Sequence, residues 1–124
     1  MNFKLEEFNS KDGLPMPFDV AENVFNLIDE LQVLRNYFGV PIHINSGYRS
    51  PQHNRKVGGS KNSQHLLGNA ADIVVEGISP DKVADTIEML IKEGKMKQGG
   101  LGRYNTFTHY DVGFNGKKRR WDFR

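Results

Sequence analysis

This chain of 124 residues has four histidines and no cysteine, so any metal centre it builds must use nitrogen and oxygen donors. The histidines are His43, His53, His65 and His109. Two of them have carboxylates at useful spacing. His65 precedes Asp72 by seven residues, within Ser63-Gln64-His65-Leu66-Leu67-Gly68-Asn69-Ala70-Ala71-Asp72, and His109 lies in Phe107-Thr108-His109-Tyr110-Asp111. Two imidazoles and one carboxylate are a donor set for catalytic zinc, which takes three protein ligands and keeps a fourth position for water. The ion and its ligands would then carry a net charge of about +1, enough to acidify water and polarise a carbonyl. The pattern alone leaves a second reading open, in which two unrelated histidines and a surface aspartate share no function.

Those residues need elements to hold them. A seven-residue gap is too long for one helical face. It suits a loop ligand followed by a ligand at the start of a strand, with Gly68 turning the chain between them. The strand is expected over Ala71–Val75, and small Ala70 and Ala71 let it pack closely. Upstream, Val20, Val24, Leu27, Ile28, Leu31 and Leu34 recur at spacings of three and four, which predicts a helix over Val20–Phe38. Asp19 is its expected N-cap, and Gly39 with Pro41 stops it. Ile42–Asn45 alternates as a short strand. Ser46–Gly59 reads as a loop with a helical turn at Pro51–Lys56, and Ser60–Gly68 as irregular. Ser79 and Pro80 open a second long helix striped by Val83, Ile87, Leu90 and Ile91, with Gly94 at its C-terminal end. Gly100–Tyr104 and Phe107–Val112 are expected to pair antiparallel around a tight turn at Asn105-Thr106. Irregular alternation of helices and strands, with few crossover-length connections, predicts an α+β fold: a small antiparallel sheet with helices packed on one face.

Composition bounds the function. Residues 1–124 are expected to form a single domain, large enough to bury a core unaided. The chain is 37% hydrophobic and 26% charged, with a formal net charge of +2, too near balance to argue for a nucleic-acid partner. The basic run Lys117-Lys118-Arg119-Arg120 reads as a solvated turn or tail. No stretch approaches the ~20 apolar residues of a membrane span. The opening MNFKLEEFNS has no apolar core of signal-peptide length, so the chain is expected to be cytoplasmic at synthesis.

Ser46-Gly47-Tyr48-Arg49-Ser50, then Asn54, Gly58-Gly59, Ser63-x-His65-x-x-Gly68-x-Ala70-x-Asp72 and His109-x-Asp111 resemble the zinc D-Ala-D-Ala carboxypeptidases. That family includes vancomycin-resistance dipeptidases and phage L-alanyl-D-glutamate endopeptidases, and a related fold occurs in hedgehog signalling domains. The resemblance runs from about Pro41 to Gly113. It implies a hedgehog-like zinc peptidase fold, with one zinc on His65, Asp72 and His109. It also implies substrate binding by Arg49, aided by Ser63 and Gln64. A guanidinium fork suits a carboxylate through two parallel hydrogen bonds; a structural ion pair is the other reading of Arg49. Tyr48 reads as a packing residue.

One departure matters. Many members carry an acid three positions before the last zinc histidine, acting as general base, and here that position is Thr106. On a strand Asp111 shares a face with His109, so it is a catalytic candidate: as the base, or as the partner that orients an imidazole. His53 is a further candidate for oxyanion stabilisation, or a loop histidine in solvent. His43 reads as a solvent-facing strand residue. The expected function is a zinc metallopeptidase cleaving peptidoglycan stem peptides, as a carboxypeptidase or a related endopeptidase such as a phage lysin acting on the cell wall. It is expected to work as a monomer. The alternative is a non-catalytic zinc-containing module that binds the cell wall.

Overall fold

The computed structural model describes residues 2–113 and 115–124. Helix α1 spans Phe18–Phe38, and its stripe of Val20, Val24, Leu27, Ile28, Leu31 and Leu34 is buried as the spacing requires. It begins earlier than the expected Asp19 cap. Pro17 holds φ −59° and ψ 155°, an extended conformation set by its own ring, and takes the cap position with no side-chain bond. Asp19 sits instead in the first turn, where its charge favours the helix dipole. Gly39 ends the helix at φ +69°, a left-handed conformation that a Cβ would strain.

Strand β1 (Ile42–Ser46) leads into the short helix α2 (Pro51–Lys56), capped by the Ser50 side chain on the His53 N–H. A 3-10 turn at Gln64–Leu67 precedes β2 (Ala70–Val75), then α3 (Pro80–Lys92), β3 (Gly100–Arg103), β4 (Thr108–Asp111) and β5 (Arg119–Asp122). Ser79 caps α3 with Pro80 in its first turn, as expected.

The five strands lie in the order β1-β2-β4-β3-β5. The architecture is α+β, and three of the four pairings are antiparallel, as expected. The β3–β5 pair is parallel. The cause is geometric. Asp111 ends β4 beside Gly100, at the start of β3. β5 begins at that same end, with Arg119 against Gly100, and so runs alongside β3. The basic run is therefore not a solvated tail: Arg119 and Arg120 open an edge strand.

One core cluster joins the α1 and α3 stripes to Ile42, Ala71, Ile73, Val75, Leu101 and Tyr110 of the sheet. Tyr110 is fully buried and lies between Ala71 and Leu101 in register. The helices thus cover one sheet face, and Tyr48 packs in the same core. Among the described residues no helix is long and apolar enough to cross a membrane.

Candidate metal centre

Strand alternation puts Asp72, His109 and Asp111 on the face away from the helices. The register then makes two rungs across the sheet. In one, Ser46, Asp72, His109, Gly102 and Trp121 stand side by side on β1, β2, β4, β3 and β5. In the other, Ala70, Asp111, Gly100 and Arg119 do. Asp72 and His109 are direct cross-strand partners, so the sheet itself holds two of the three expected ligands together.

The third, His65, arrives from the 3-10 turn. Ser63 caps that turn, accepting from the His65 N–H, and Gly68 closes it at φ +75°. The His65 ring is fixed at its other nitrogen: Nδ1 donates to the Gly47 carbonyl at 2.7 Å, which turns Nε2 toward Asp72. His65 Nε2 then lies 3.2 Å from Asp72 Oδ1, and His109 Nδ1 lies 2.9 Å from the same oxygen.

These atoms fit a zinc ion. At ligand distances of ~2.0–2.2 Å, neighbouring donors of a tetrahedral ion sit roughly 3.3–3.6 Å apart. One donor atom from each of His65, Asp72 and His109 lies within 4.8 Å of the others, and all three residues are buried. The carboxylate is kept ready for a cation: burial by itself would raise the Asp72 pKa, but the two imidazoles facing it at hydrogen-bond distance hold it well below the usual carboxylate range. Outside this trio, Asp111 completes the orientation. His109 Nε2 donates to Asp111 Oδ2 at 2.7 Å, leaving Nδ1 to face the donor cluster.

Asp111 is 0% exposed and fully engaged. Its Oδ1 accepts from the Gly100 N–H at 3.0 Å and from Arg119 Nη2. Burial raises its pKa, and the bond from His109, with the charges of His109 and Arg119 and the Gly100 N–H, lowers it further than burial lifts it. For His109 burial disfavours the charged form, and its two carboxylate partners outweigh that and raise its pKa.

Glycines clear the space these groups use. A Cβ on Gly100 would sit 2.2 Å from Asp111 Oδ2, and one on Gly102 would sit 2.3 Å from Trp121 Nε1. The Trp121 ring covers Gly102 and reaches His109, with ring centroids 4.9 Å apart. Trp121 Nε1 donates to the Tyr104 hydroxyl at 2.9 Å, and Tyr104 stacks on Phe107 at 4.2 Å. These aromatic rings form one wall of a cavity of about 470 Å³ over the donor cluster.

Arg49 lines the same cavity. Its Nε donates to Ser46 Oγ at 3.2 Å, Nη1 to Asn54 Oδ1 at 3.4 Å and Nη2 to Asp72 Oδ2 at 3.4 Å. A β-bulge between Ile44 and Ser46 swings Ser46 opposite Asp72 and so toward this guanidinium. Three of the five N–H donors of Arg49 thereby have partners among the described residues. Ser63 and Gln64 line the cavity too, with Gln64 Oε1 accepting from Asn69 Nδ2 at 3.0 Å.

The other candidates fall elsewhere. His53 sits on α2, outside the cavity lining; His43 is exposed beside Glu76; Thr106 is exposed on the β3–β4 turn. The sequence reading missed Arg119, Trp121, Tyr104 and Phe107. Gly99-Gly100-Leu101-Gly102 was the available signal for them, because glycine inside a strand marks close approach by another group.

A family profile described as peptidase M15 matches residues 1–111. Peptidoglycan L,D-endopeptidase MepK of Escherichia coli K12 is 32% identical over 96 residues, 70% of this chain and 50% of that protein. The zinc D-Ala-D-Ala carboxypeptidase of Streptomyces albus G is 47% identical over 45 residues, 36% of this chain and 18% of that protein. The chain thus spans half or less of the length of these two relatives. Among solved structures, the L-Ala D-Glu endopeptidase ChiX of Serratia marcescens superposes with a TM-score of 0.50 at 21% identity, covering 86% of this chain and 95% of that one. At that identity the likeness is one of fold.

Proposed function

The chain belongs to the peptidase M15 family, and from that premise we propose that it is a zinc peptidase hydrolysing peptide bonds in peptidoglycan stem peptides. The observation that carries this reading is the convergence of His65, Asp72 and His109 beneath a cavity that Arg49 also lines. When bound, zinc supplies Lewis acidity there, acidifying a water and polarising a carbonyl.

The chain's own residues do the rest. Arg49 keeps two N–H donors for the substrate, enough to grip a carboxylate or a peptide carbonyl. The Ser63 hydroxyl accepts from the His65 N–H and lines the cavity, so its own proton can serve as a donor there. Asp111 holds His109 in the tautomer that presents Nδ1. Its burial and full set of partners suit an orienting role better than that of a base, which needs a lone pair facing the reacting water. The wall of Tyr104, Phe107 and Trp121 excludes bulk water on one side.

We favour an endopeptidase over a carboxypeptidase. The cavity adjoins a second one of about 550 Å³, with which it shares Asn62, Ser63, Gln64 and Arg119. A groove open past the cleavage point accepts chain on both sides. The second reading is a metal-bearing wall-binding module without turnover. It is favoured by the carboxylates of the cavity lining: among the described residues these are Asp72 and Asp111 alone, both engaged. Digestion of purified muropeptides by the zinc-loaded protein, read by mass, separates the cases. Cleavage inside the stem supports the endopeptidase, release of terminal D-Ala the carboxypeptidase. Intact muropeptides at full zinc occupancy leave the binding module.

A further inference from the structure

Among the described residues, the second cavity holds three cations and no carboxylate. Lys61, Lys117 and Arg119 line it, with Leu66 and Leu67 as its apolar part. Arg119 belongs to both cavities, its guanidinium anchored by buried Asp111 and lying 5.9 Å from the centroid of the Trp121 ring. About a third of its side chain stays exposed (33%), so donors remain for a ligand.

Sheet order separates Arg119 from Arg49. Arg49 follows β1, at one edge of the sheet, and Arg119 opens β5, at the other. Asp72 and His109 lie on β2 and β4 between them. With neighbouring strands ~4.8 Å apart, the edge strands are about 19 Å apart, and each arginine reaches inward from its own flank. Positive charge thus stands on both sides of the donor cluster, and the two cavities adjoin through the residues they share. Each cationic group is matched by the chemistry of one carboxylate.

We infer that Lys61, Lys117 and Arg119 form a second carboxylate-binding subsite, where the segment before β2 meets the start of β5. The groove then takes a peptide with an anionic group on each side of the cleavage point: Arg49 holds one, and this cluster the other. Leu66 and Leu67 receive the aliphatic part of the residue that bears the second carboxylate. The inference rests on the peptidase reading for the identity of the ligand, but its charge requirement stands on the cavity alone.

Trp121 is the only tryptophan and lies in the groove wall, so its fluorescence reports binding directly. The probes are a soluble stem tetrapeptide with free carboxylates and the same peptide with every carboxylate converted to a primary amide. Both are titrated into zinc-loaded wild type and into the Lys61→Gln, Lys117→Gln double variant. These lysines are exposed, so the fold does not depend on them; Arg119 is left in place because it also supports Asp111. The double variant should bind the free peptide about tenfold more weakly, in line with two partly exposed ion pairs, and the amidated peptide as wild type does. Added salt should shrink the difference.

An equal loss for both peptides, or no loss for either, overturns the subsite, as does a wild type that binds neither. Hydrolysis is read in the same samples. Charge-dependent binding without cleavage strikes the peptidase reading and keeps the subsite. Cleavage that ignores the lysine charges does the reverse.

Discussion

At the scale of single residues, the site depends on carboxylates that face imidazoles and guanidinium groups at hydrogen-bond distance. Asp111 is the sharpest case, since it touches His109, Arg119 and the Gly100 N–H while remaining wholly buried. If it orients His109, Asp111→Asn should weaken zinc affinity by ~10–100-fold, with turnover recovering in excess metal. A general base would behave differently: zinc affinity would hold and turnover would fall by ~10²–10⁴-fold. Measuring both on one preparation separates the roles, and wild-type values for both would assign Asp111 neither. Arg49 makes a second prediction. Its planar fork is held from below by Ser46, Asn54 and Asp72. A lysine ammonium cannot meet those partners and a substrate together, so Arg49→Lys should impair hydrolysis nearly as much as Arg49→Ala, with zinc content retained. Unchanged activity in Arg49→Ala would make the residue structural. Arg49, Ser63, Gln64, His65, Asp72, His109 and Asp111, quoted from the sequence as candidates, do meet around one cavity while His53 does not, and the partners of Asp111 were not legible there. A basic run has the same composition whether solvated or paired, and only the register of β5 decides between the two.

At the scale of elements, local signals were legible and long-range pairing was not. The α1 stripe, the Ser79-Pro80 start of α3 and the Gly39 stop are written in spacing and capping chemistry, which act within a few residues. The β3–β4 hairpin was legible as an antiparallel pair, although its strands are Gly100–Arg103 and Thr108–Asp111 rather than the longer Gly100–Tyr104 and Phe107–Val112. The parallel β5 was not legible: its direction follows from where β4 ends, a fact of topology rather than of composition. Also hidden was the anchoring of the Arg49 loop by the N-terminal segment. The Tyr48 N–H donates to the Phe8 carbonyl at 2.8 Å, and the Ser50 N–H to Ser10 Oγ at 3.0 Å. The Ser50 hydroxyl, while capping α2, donates to Asp12 Oδ2 at 2.5 Å. That bond from Ser50 is the main reason the Asp12 pKa falls from 3.8 to about 2. A carboxylate whose folded pKa is depressed contributes stability that is present above its unfolded value and is lost as pH falls through the folded one. The Asp12 contribution should therefore be complete above pH 3.8 and disappear as pH falls through about 2. Denaturant midpoints of wild type and Asp12→Asn, compared across that window, should converge on acidification. A gap that stays constant would show that the ionised form of Asp12 adds nothing.

At the scale of the whole molecule, the metal site and the core are two faces of one sheet. Asp72 shares β2 with Ala71 and Ile73, and His109 shares β4 with Tyr110, so the strands that carry ligands also carry core. We propose that residues 1–124 fold as one cooperative unit, and zinc binding then has to report on global stability rather than on a local loop. Two of the ligands are cross-strand neighbours and the third comes from a separate turn, so the unfolded chain has no assembled site. An ion that binds only the folded state stabilises it by about 2.7 kcal/mol at a free concentration one hundred times Kd. The unfolding entropy of 124 residues is roughly 0.26 kcal/mol per degree. The midpoint temperature should therefore rise by about 10 °C on zinc addition, in a single transition seen alike by Trp121 fluorescence, which samples the metal face, and by far-ultraviolet circular dichroism, which samples the helices. Replacing His109 by alanine should abolish the shift while leaving one transition. A rise confined to the tryptophan signal would mean that the metal face melts apart from the helical core, and the proposal of one unit would fall. A full rise in His109→Ala would remove His109 from the ligand set, because the two remaining donors, His65 and Asp72, would then be sufficient to hold the ion.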